Sequence, residues 1–332
     1  MKAAQYSRHG EPEDVLEIVD MPAEAPRDGE VVIDVEAVSF WPQDLYAMQG
    51  AKGDEVFPRI PGNKCVGIVR AIGRNVSGMR PGDRVNVGGL AAGTWRQQVC
   101  LGAENLFPVR HGVDAAQYAL IANMLTAYYA LVDLVALKPG DWIIQNGANS
   151  SCGQFIIQMA KHRGLHTVNV VRREAAKPYL RGIGADVVLV DGPDLARDVA
   201  AATGNAKIGL AIDMVAGSAT ERLGSCLAPG GTVACYGHMS NESAHVAVSD
   251  LLFRDIRLVG YFMGKSRRQR SIAEFARVHD EVAGLAADGV LFAQIAGNYS
   301  LDQVREAVLH EWKDTAPRPG KIILWPNGVR AL

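Results

Sequence analysis

Residues 142 to 173 read WIIQNGANSSCGQFIIQMAKHRGLHTVNVVRR. The short apolar run Trp142 to Gln145 is followed by a turn holding Gly147 and Gly153, a helical stretch, and a second β-type run ending at Val171. The order is strand, glycine-containing turn, helix, strand. This unit constrains the rest of the chain, because strands separated by helical segments build a parallel, doubly wound α/β sheet.

The chain after Arg173 keeps that alternation. Leu180 to Asp186 ends a helix before Val187 to Val190, Ile208 to Val215 reads as another strand, and Leu227 to Gly237 as a turn leading into a buried strand. Upstream, Asp114 is placed as an N-cap before Tyr118 to Leu134, which is apolar at roughly helical spacing, and Lys138-Pro139-Gly140-Asp141 is a turn that launches the Trp142 strand. Residues 1 to 118 have a different texture. Val31 to Val38 partly alternates apolar and polar, as a half-buried strand does, Cys65 to Gly73 is a second strand, and Pro81-Gly82-Asp83 turns into a third. The tail returns to β-type segments and ends on Gly320 to Trp325. The expectation is a mostly β domain at 1–118, a cofactor-type α/β domain at 119–287, and a return to the first domain at 288–332.

Composition narrows the partners. A chain of 332 residues with 21% charged residues and a net charge of −2 has no electrostatic reason to bind nucleic acid or an anionic membrane. It has no apolar run near the length of a membrane span, and its N-terminus lacks the apolar stretch of a secretory signal. The five cysteines are odd in number, scattered, and never spaced C-x-x-C, which argues against a disulfide framework or a structural zinc site. The reading is a cytoplasmic protein with a small-molecule substrate, no nucleic acid and no membrane.

The turn Asn146 to Gly153 lies where a phosphate-binding turn belongs, between a strand and the N-terminus of a helix. Only two glycines are present, and an ordinary strand-to-helix turn is the alternative. Arg172 and Arg173 lie about 20 residues further on, where an acid would bind the ribose hydroxyl of NAD and arginine suits a 2′-phosphate. The first acid nearby is Glu174. The cofactor expected is therefore NADPH, against the alternative of two solvated arginines at a strand end.

Several blocks in one order then carry a resemblance. They are Gly93-Thr94-Trp95-Arg96, Leu137 to Asn146, Asn169-Val170-Val171-Arg172-Arg173, Tyr236-Gly237-His238-Met239-Ser240 and Leu251 to Phe262. The chain resembles the medium-chain dehydrogenase/reductase superfamily over essentially its whole length, and within it the 2-enoyl thioester (enoyl-CoA/ACP) reductase branch, with quinone-reductase-like relatives next. The resemblance implies a Rossmann cofactor domain joined to a mostly β, GroES-like substrate domain, and a homodimer. It also implies where the cofactor is touched. Asn123 and Thr126 fall near its nicotinamide, Asn149, Ser150, Ser151 and Cys152 on its pyrophosphate turn, and Arg172 and Arg173 on its 2′-phosphate. Tyr236, Gly237, His238 and Met239, then Tyr261, Phe262 and Met263, and finally Lys321 fall on further cofactor-contacting positions. Core packing is the alternative for the tyrosines and Met239.

The same resemblance frames what is missing. Where zinc-dependent members place ligands, this chain reads Ser39-Phe40-Trp41-Pro42-Gln43-Asp44 and Pro61-Gly62-Asn63-Lys64, with no thiolate or imidazole, so no metal is expected. The enoyl reductases carry a catalytic tyrosine shortly after a Gln-Gly pair, whereas Gln49-Gly50 is followed here by Ala51-Lys52-Gly53-Asp54. Tyr46 is the candidate hydrogen-bond donor to a developing enolate, Lys52 a second candidate, and a solvent proton a third route. The function expected is NADPH-dependent, zinc-independent reduction of the activated C=C bond of an α,β-unsaturated carbonyl compound. An enoyl thioester leads as substrate, with a quinone or enone as the alternative, and a non-catalytic NADPH-binding protein as the reading from another class. Three further features stay open. Lys265 to Arg270 is a solvated basic turn or a grip on a CoA-type or carrier-protein partner. Cys152 is a packed small residue or a helix N-terminal thiol of lowered pKa. His238 is a loop histidine or a substrate contact.

Overall fold

The computed structural model describes residues 1–50, 56–87, 93–109, 112–313 and 320–328. The chain divides into two compact units, Met1–Ala122 with Ala293–Leu332, and Asn123–Phe292.

The first unit is a β-rich body built around the strand Glu30–Ser39. That strand pairs antiparallel with Val66–Ile72, Gln98–Gly102 and Lys321–Trp325, so three ladders meet on it. Register shifts at Val32/Ile33 and Val35/Ala37 interrupt its ladder with Val66–Ile72, the local irregularity by which a long strand bends. The half-buried alternation expected for Val31 to Val38 is not what forms. Val31, Val32, Ile33, Val35, Ala37 and Val38 are all buried, because both faces of this central strand are covered. Glu36 is buried with them, and the Arg84 guanidinium donates to both of its carboxylate oxygens at 2.6 Å, which keeps the charge compensated. The tail rejoins this unit through Ile295–Ser300, which pairs parallel with Lys321–Trp325. Phe40, Leu45, Met48, Trp95 and Leu324 lie in its core.

The second unit is a six-stranded, wholly parallel sheet. Its order is Val187–Val190, His166–Val171, Trp142–Gln145, Ile208–Asp213, Thr232–Cys235, Arg257–Gly260. Chain order runs outward in opposite directions from Trp142–Gln145, so the sheet has its topological switch point between Trp142–Gln145 and Ile208–Asp213. Ile144, Val168, Val170, Ala211 and Val233 pack one core cluster, and Ala148, Ile157, Val171, Leu180 and Val188 another. A buried polar ladder also sets the register. The Gln145 side-chain amide donates to Asn169 Oδ1 at 2.8 Å and to the Gly153 carbonyl at 2.9 Å, and Asn169 donates to Thr167 Oγ1 at 2.8 Å. Each such bond contributes about 1 kcal/mol net, and breaking one leaves a more costly unpaired group.

Local details depart from the sequence reading for identifiable reasons. The Asp114 cap is present, its carboxylate accepting from the Ala116 and Gln117 amides, but the helix it starts ends at Tyr118 and a separate one runs Ile121–Val132. The strand read as Ile208 to Val215 stops at Asp213, whose carboxylate takes the amides of Val215 and Ala216. Lys265 to Arg270 is not a plain turn, since Met263–Arg268 is helical. Among the described residues no helix is long and apolar enough to cross a membrane.

Candidate cofactor site

The carboxyl end of the parallel sheet collects polar side chains at the switch point. The turn after Trp142–Gln145 is held by its own backbone, with the Ser150 amide donating to the Gly147 carbonyl at 2.9 Å. Ser150 caps the helix Ser151–His162, its hydroxyl accepting the Gly153 amide at 3.1 Å. Gly147 has φ +58, and a Cβ on Gly153 would fall 2.7 Å from the Ala148 backbone, so the glycine permits the helix to start against the turn. The result is a twelve-residue helix whose positive end opens at a strand terminus, the arrangement that favours an anion.

Around this turn the fold gathers several of the residues singled out from sequence. The Asn123 side-chain amide donates to Ser151 Oγ at 3.0 Å. Tyr261 donates to the Thr126 carbonyl at 2.9 Å, and its ring centroid lies 6.4 Å from that of Tyr236. The Tyr236 hydroxyl is buried beside the Cys152 thiol and the Ser150 hydroxyl without a well-aligned hydrogen bond. Burial, then the neighbouring thiol, raises the pKa of Tyr236 well above its ordinary value, and burial raises that of Tyr261. Burial likewise pushes the Cys152 thiol up to about 12. Of the two readings of Cys152, its burial supports the packed small residue rather than a thiol of lowered pKa. These three groups are neutral donors around neutral pH.

The remaining candidates are dispersed. Arg172 and Arg173 are exposed at the end of His166–Val171. Asn149 is exposed at the crown of the turn, and its carbonyl accepts the Gln154 side-chain amide at 2.9 Å. Gly237 packs tightly, since a Cβ there would sit 2.6 Å from the Met214 carbonyl oxygen. Met239 and Phe262 are exposed, at 55% and 60%, as is His238, while Met263 is half-buried at the start of its helix. In the first unit, Tyr46 is half-buried on the helix Pro42–Met48. The Lys321 ammonium pairs with the buried Glu311 carboxylate and lies 3.4 Å from the Phe40 carbonyl. Lys52 lies outside the described residues.

Two residues were missed from sequence. Tyr179 donates to Gln154 Oε1 at 3.0 Å, and Gln154 donates in turn to Asn149, so Tyr179 supports the turn from the helix after the second strand. Lys177 stands beside it on that helix and pairs with Glu174 at 2.7 Å. The signal available was a cation four residues beyond Arg173, which spacing alone does not separate from any exposed helix start.

Where a zinc ligand set would lie, Asp44 accepts the Asn63 amide at 2.7 Å, and the Lys64 ammonium sits 3.6 Å from the Trp41 ring centroid. An engaged carboxylate, an amide and a cation do not fit zinc. Among the described residues no group of three or more His, Cys, Asp or Glu side chains is placed to hold a metal ion.

A parallel sheet whose switch point carries a glycine turn and a helix start, together with a β-rich unit, defines a two-unit α/β architecture. Residues 27–124 match the alcohol dehydrogenase GroES-like domain family, and residues 152–282 the zinc-binding dehydrogenase family. The chain is 32% identical to the mitochondrial enoyl-[acyl-carrier-protein] reductase of Rattus norvegicus, over 93% of this chain and 84% of that protein. Among solved structures, Escherichia coli quinone oxidoreductase complexed with NADPH superposes with a TM-score of 0.87 at 22% identity, covering 98% of this chain and 100% of that one. The Etr1p/NADP/crotonyl-CoA complex superposes with a TM-score of 0.84 at 21% identity, covering 98% and 99%. This chain belongs to the medium-chain dehydrogenase/reductase superfamily, in its enoyl reductase branch with quinone-reductase-like relatives, and is an oxidoreductase of that family.

Proposed function

We propose that this protein is an NADPH-dependent reductase of the activated C=C bond of an α,β-unsaturated carbonyl compound, with an enoyl thioester as the leading substrate. The observation that carries the cofactor choice is the exposed pair Arg172 and Arg173 at the end of the second strand of the parallel sheet, with the nearest acid, Glu174, already paired to Lys177. Two guanidinium groups there suit a ribose 2′-phosphate. The helix terminus at Ser151, with the Ser150 cap and the Asn123–Ser151 bond, suits the pyrophosphate. NADPH in the Escherichia coli neighbour and NADP in the Etr1p complex support the same choice.

When bound, the nicotinamide supplies a hydride to the β-carbon of the substrate. The protein's part is positioning and charge. Tyr236, Tyr261 and Cys152, kept neutral by burial, present no charge that would compete with a developing anion. Tyr46 donates a hydrogen bond to the enolate oxygen as negative charge develops on it, and Lys52 or solvent delivers the proton to the α-carbon. The names of the relatives favour the thioester. A second reading, a quinone or enone, is favoured by one observation: Gln49-Gly50 is followed by Ala51-Lys52-Gly53-Asp54, with no phenol where the branch has one.

The test is a panel of crotonyl-CoA, a simple quinone and a simple enone, assayed with NADPH and NADH. Faster oxidation of NADPH, with crotonyl-CoA turned over most efficiently, is expected. Preference for NADH would overturn the cofactor choice, and turnover confined to the quinone would move the substrate to the second reading.

A further inference from the structure

Asn149 is exposed at the crown of the glycine turn, yet the peptide joining it to Ser150 is pinned at both ends. The Ser150 amide donates to the Gly147 carbonyl at 2.9 Å, and the Asn149 carbonyl accepts the Gln154 side-chain amide at 2.9 Å. A peptide unit is planar, so holding its carbonyl and its amide fixes the plane. The helix Ser151–His162 starts at the next residue, and this plane sets the direction in which its first amides face.

The hold on Asn149 comes from outside the turn. A carbonyl can only accept, so the Asn149 bond takes the NH₂ group of the buried Gln154 and leaves its Oε1 for a donor. Tyr179 is that donor, its hydroxyl lying 3.0 Å from Oε1. Burial raises the Tyr179 pKa, which keeps the proton on the hydroxyl through neutral pH. Tyr179 belongs to the helix Lys177–Gly182, which begins four residues after Arg173. On that helix Leu180 is fully buried in one cluster with Ala148 of the turn, and Tyr179 packs against the same cluster. Apolar packing thus seats the helix beside the turn, and the hydroxyl adds a directional bond to it.

We infer that Tyr179 is a positioning residue for the dinucleotide: acting through Gln154, its hydroxyl orients the Asn149–Ser150 peptide and with it the helix-start amides that receive the pyrophosphate. The inference rests on the dinucleotide reading of this site and adds a residue that works at one remove from the cofactor. The 2′-phosphate is assigned to Arg172 and Arg173 instead. Loss of the relay therefore weakens a ligand that carries a pyrophosphate and spares one that does not.

The experiment titrates the full chain by calorimetry with NADPH, NADH and adenosine 2′-monophosphate, which has the 2′-phosphate and no pyrophosphate. Tyr179→Phe keeps the packed ring and removes the hydroxyl. It is expected to weaken both dinucleotides about 5-fold, the effect of one neutral hydrogen bond, with the monophosphate within about 2-fold of native. Gln154→Met, which fills similar space without either polar group, is expected to weaken the dinucleotides at least as much. Adding Tyr179→Phe to Gln154→Met should change nothing further, because the hydroxyl then has no relay to act through. Thermal melting without ligand reports whether each variant is folded; if Gln154→Met unfolds, Tyr179→Phe with the same ligands decides alone. Dinucleotide affinities within about 2-fold of native in Tyr179→Phe would overturn the inference. Equal weakening of the monophosphate would also overturn it, since the change would then reach the arginine segment rather than the turn. A further loss in the double variant would do the same, because Tyr179 would then act by another route. Native protein that binds neither dinucleotide would overturn the dinucleotide reading itself, and the positioning role with it.

Discussion

Asn146 donates its side-chain amide to the Asp213 carboxylate across 2.6 Å, joining the turn after Trp142–Gln145 to the loop after Ile208–Asp213. The same carboxylate oxygen accepts the Val215 amide at 2.9 Å and the Ala216 amide at 3.1 Å, and the other accepts the Thr220 hydroxyl at 2.6 Å. Asn146 also accepts the Met214 amide at 2.7 Å. One fully buried acid thereby shapes both walls of the switch point.

Replacing Asp213 by Ala removes the acceptor for four donors in a place water does not reach. A loss of roughly 3 kcal/mol in unfolding free energy is expected. Urea denaturation measures it as a fall in midpoint at constant slope. Asp213→Asn, which keeps one oxygen, should recover more than half. An alanine variant within about 1 kcal/mol of native would show that the network is dispensable.

Arg172→Ala should weaken NADPH by about 10-fold or more, since a charge-assisted bond to phosphate contributes about 1.5–3 kcal/mol. NADH, which lacks that phosphate, should bind within about 2-fold of native. Fluorescence titration of both cofactors reads the difference. Equal weakening of the two would remove Arg172 from the 2′-phosphate site.

Tyr46→Phe keeps the ring on the Pro42–Met48 helix and removes only the hydroxyl. If that hydroxyl holds the enolate oxygen, kcat should drop about 10²-fold with the NADPH affinity unchanged. Steady-state kinetics paired with a cofactor titration separates the two. Full turnover in the variant would end its candidacy and turn attention to Lys52.

His279 sits buried on the helix Ile272–Ala287, and burial, only partly opposed by Asp280, lowers its pKa from 6.5 to about 4. The folded state therefore binds the proton less readily than the unfolded chain. The stability this represents is present above pH 6.5 and is lost as pH falls toward 4, by roughly 3 kcal/mol across that window. Thermal melts at several pH values should show the decline, and His279→Leu should flatten it. A native-like decline in the variant would assign the acid sensitivity elsewhere.

Much of this was legible in the sequence because it is written locally. The turn between Trp142 and Gly153, the cap at Asp114, and the alternation of strand and helix depend on near neighbours and on backbone permissiveness. The two-sided burial of Val31 to Val38 was not legible, because whether a strand is half-covered depends on which distant segments pair with it, here Lys321–Trp325 among them. Tyr179 was missed for the same reason, since its bond to Gln154 spans 25 residues of chain.

The sequence by itself determined a parallel α/β sheet, a glycine turn at a helix start and two arginines at the end of the second strand, all of which follow from periodicity and short-range chemistry. Only the tertiary structure decided that Asn123, Thr126, Tyr236 and Tyr261 converge on that turn. It also decided that burial raises the Cys152 thiol rather than lowering it, and that Arg267 and Arg270 are engaged within the unit while Lys265 and Arg268 are exposed. Burial and pairing are properties of the packed chain, because the solvent a group loses is displaced by residues far away in sequence.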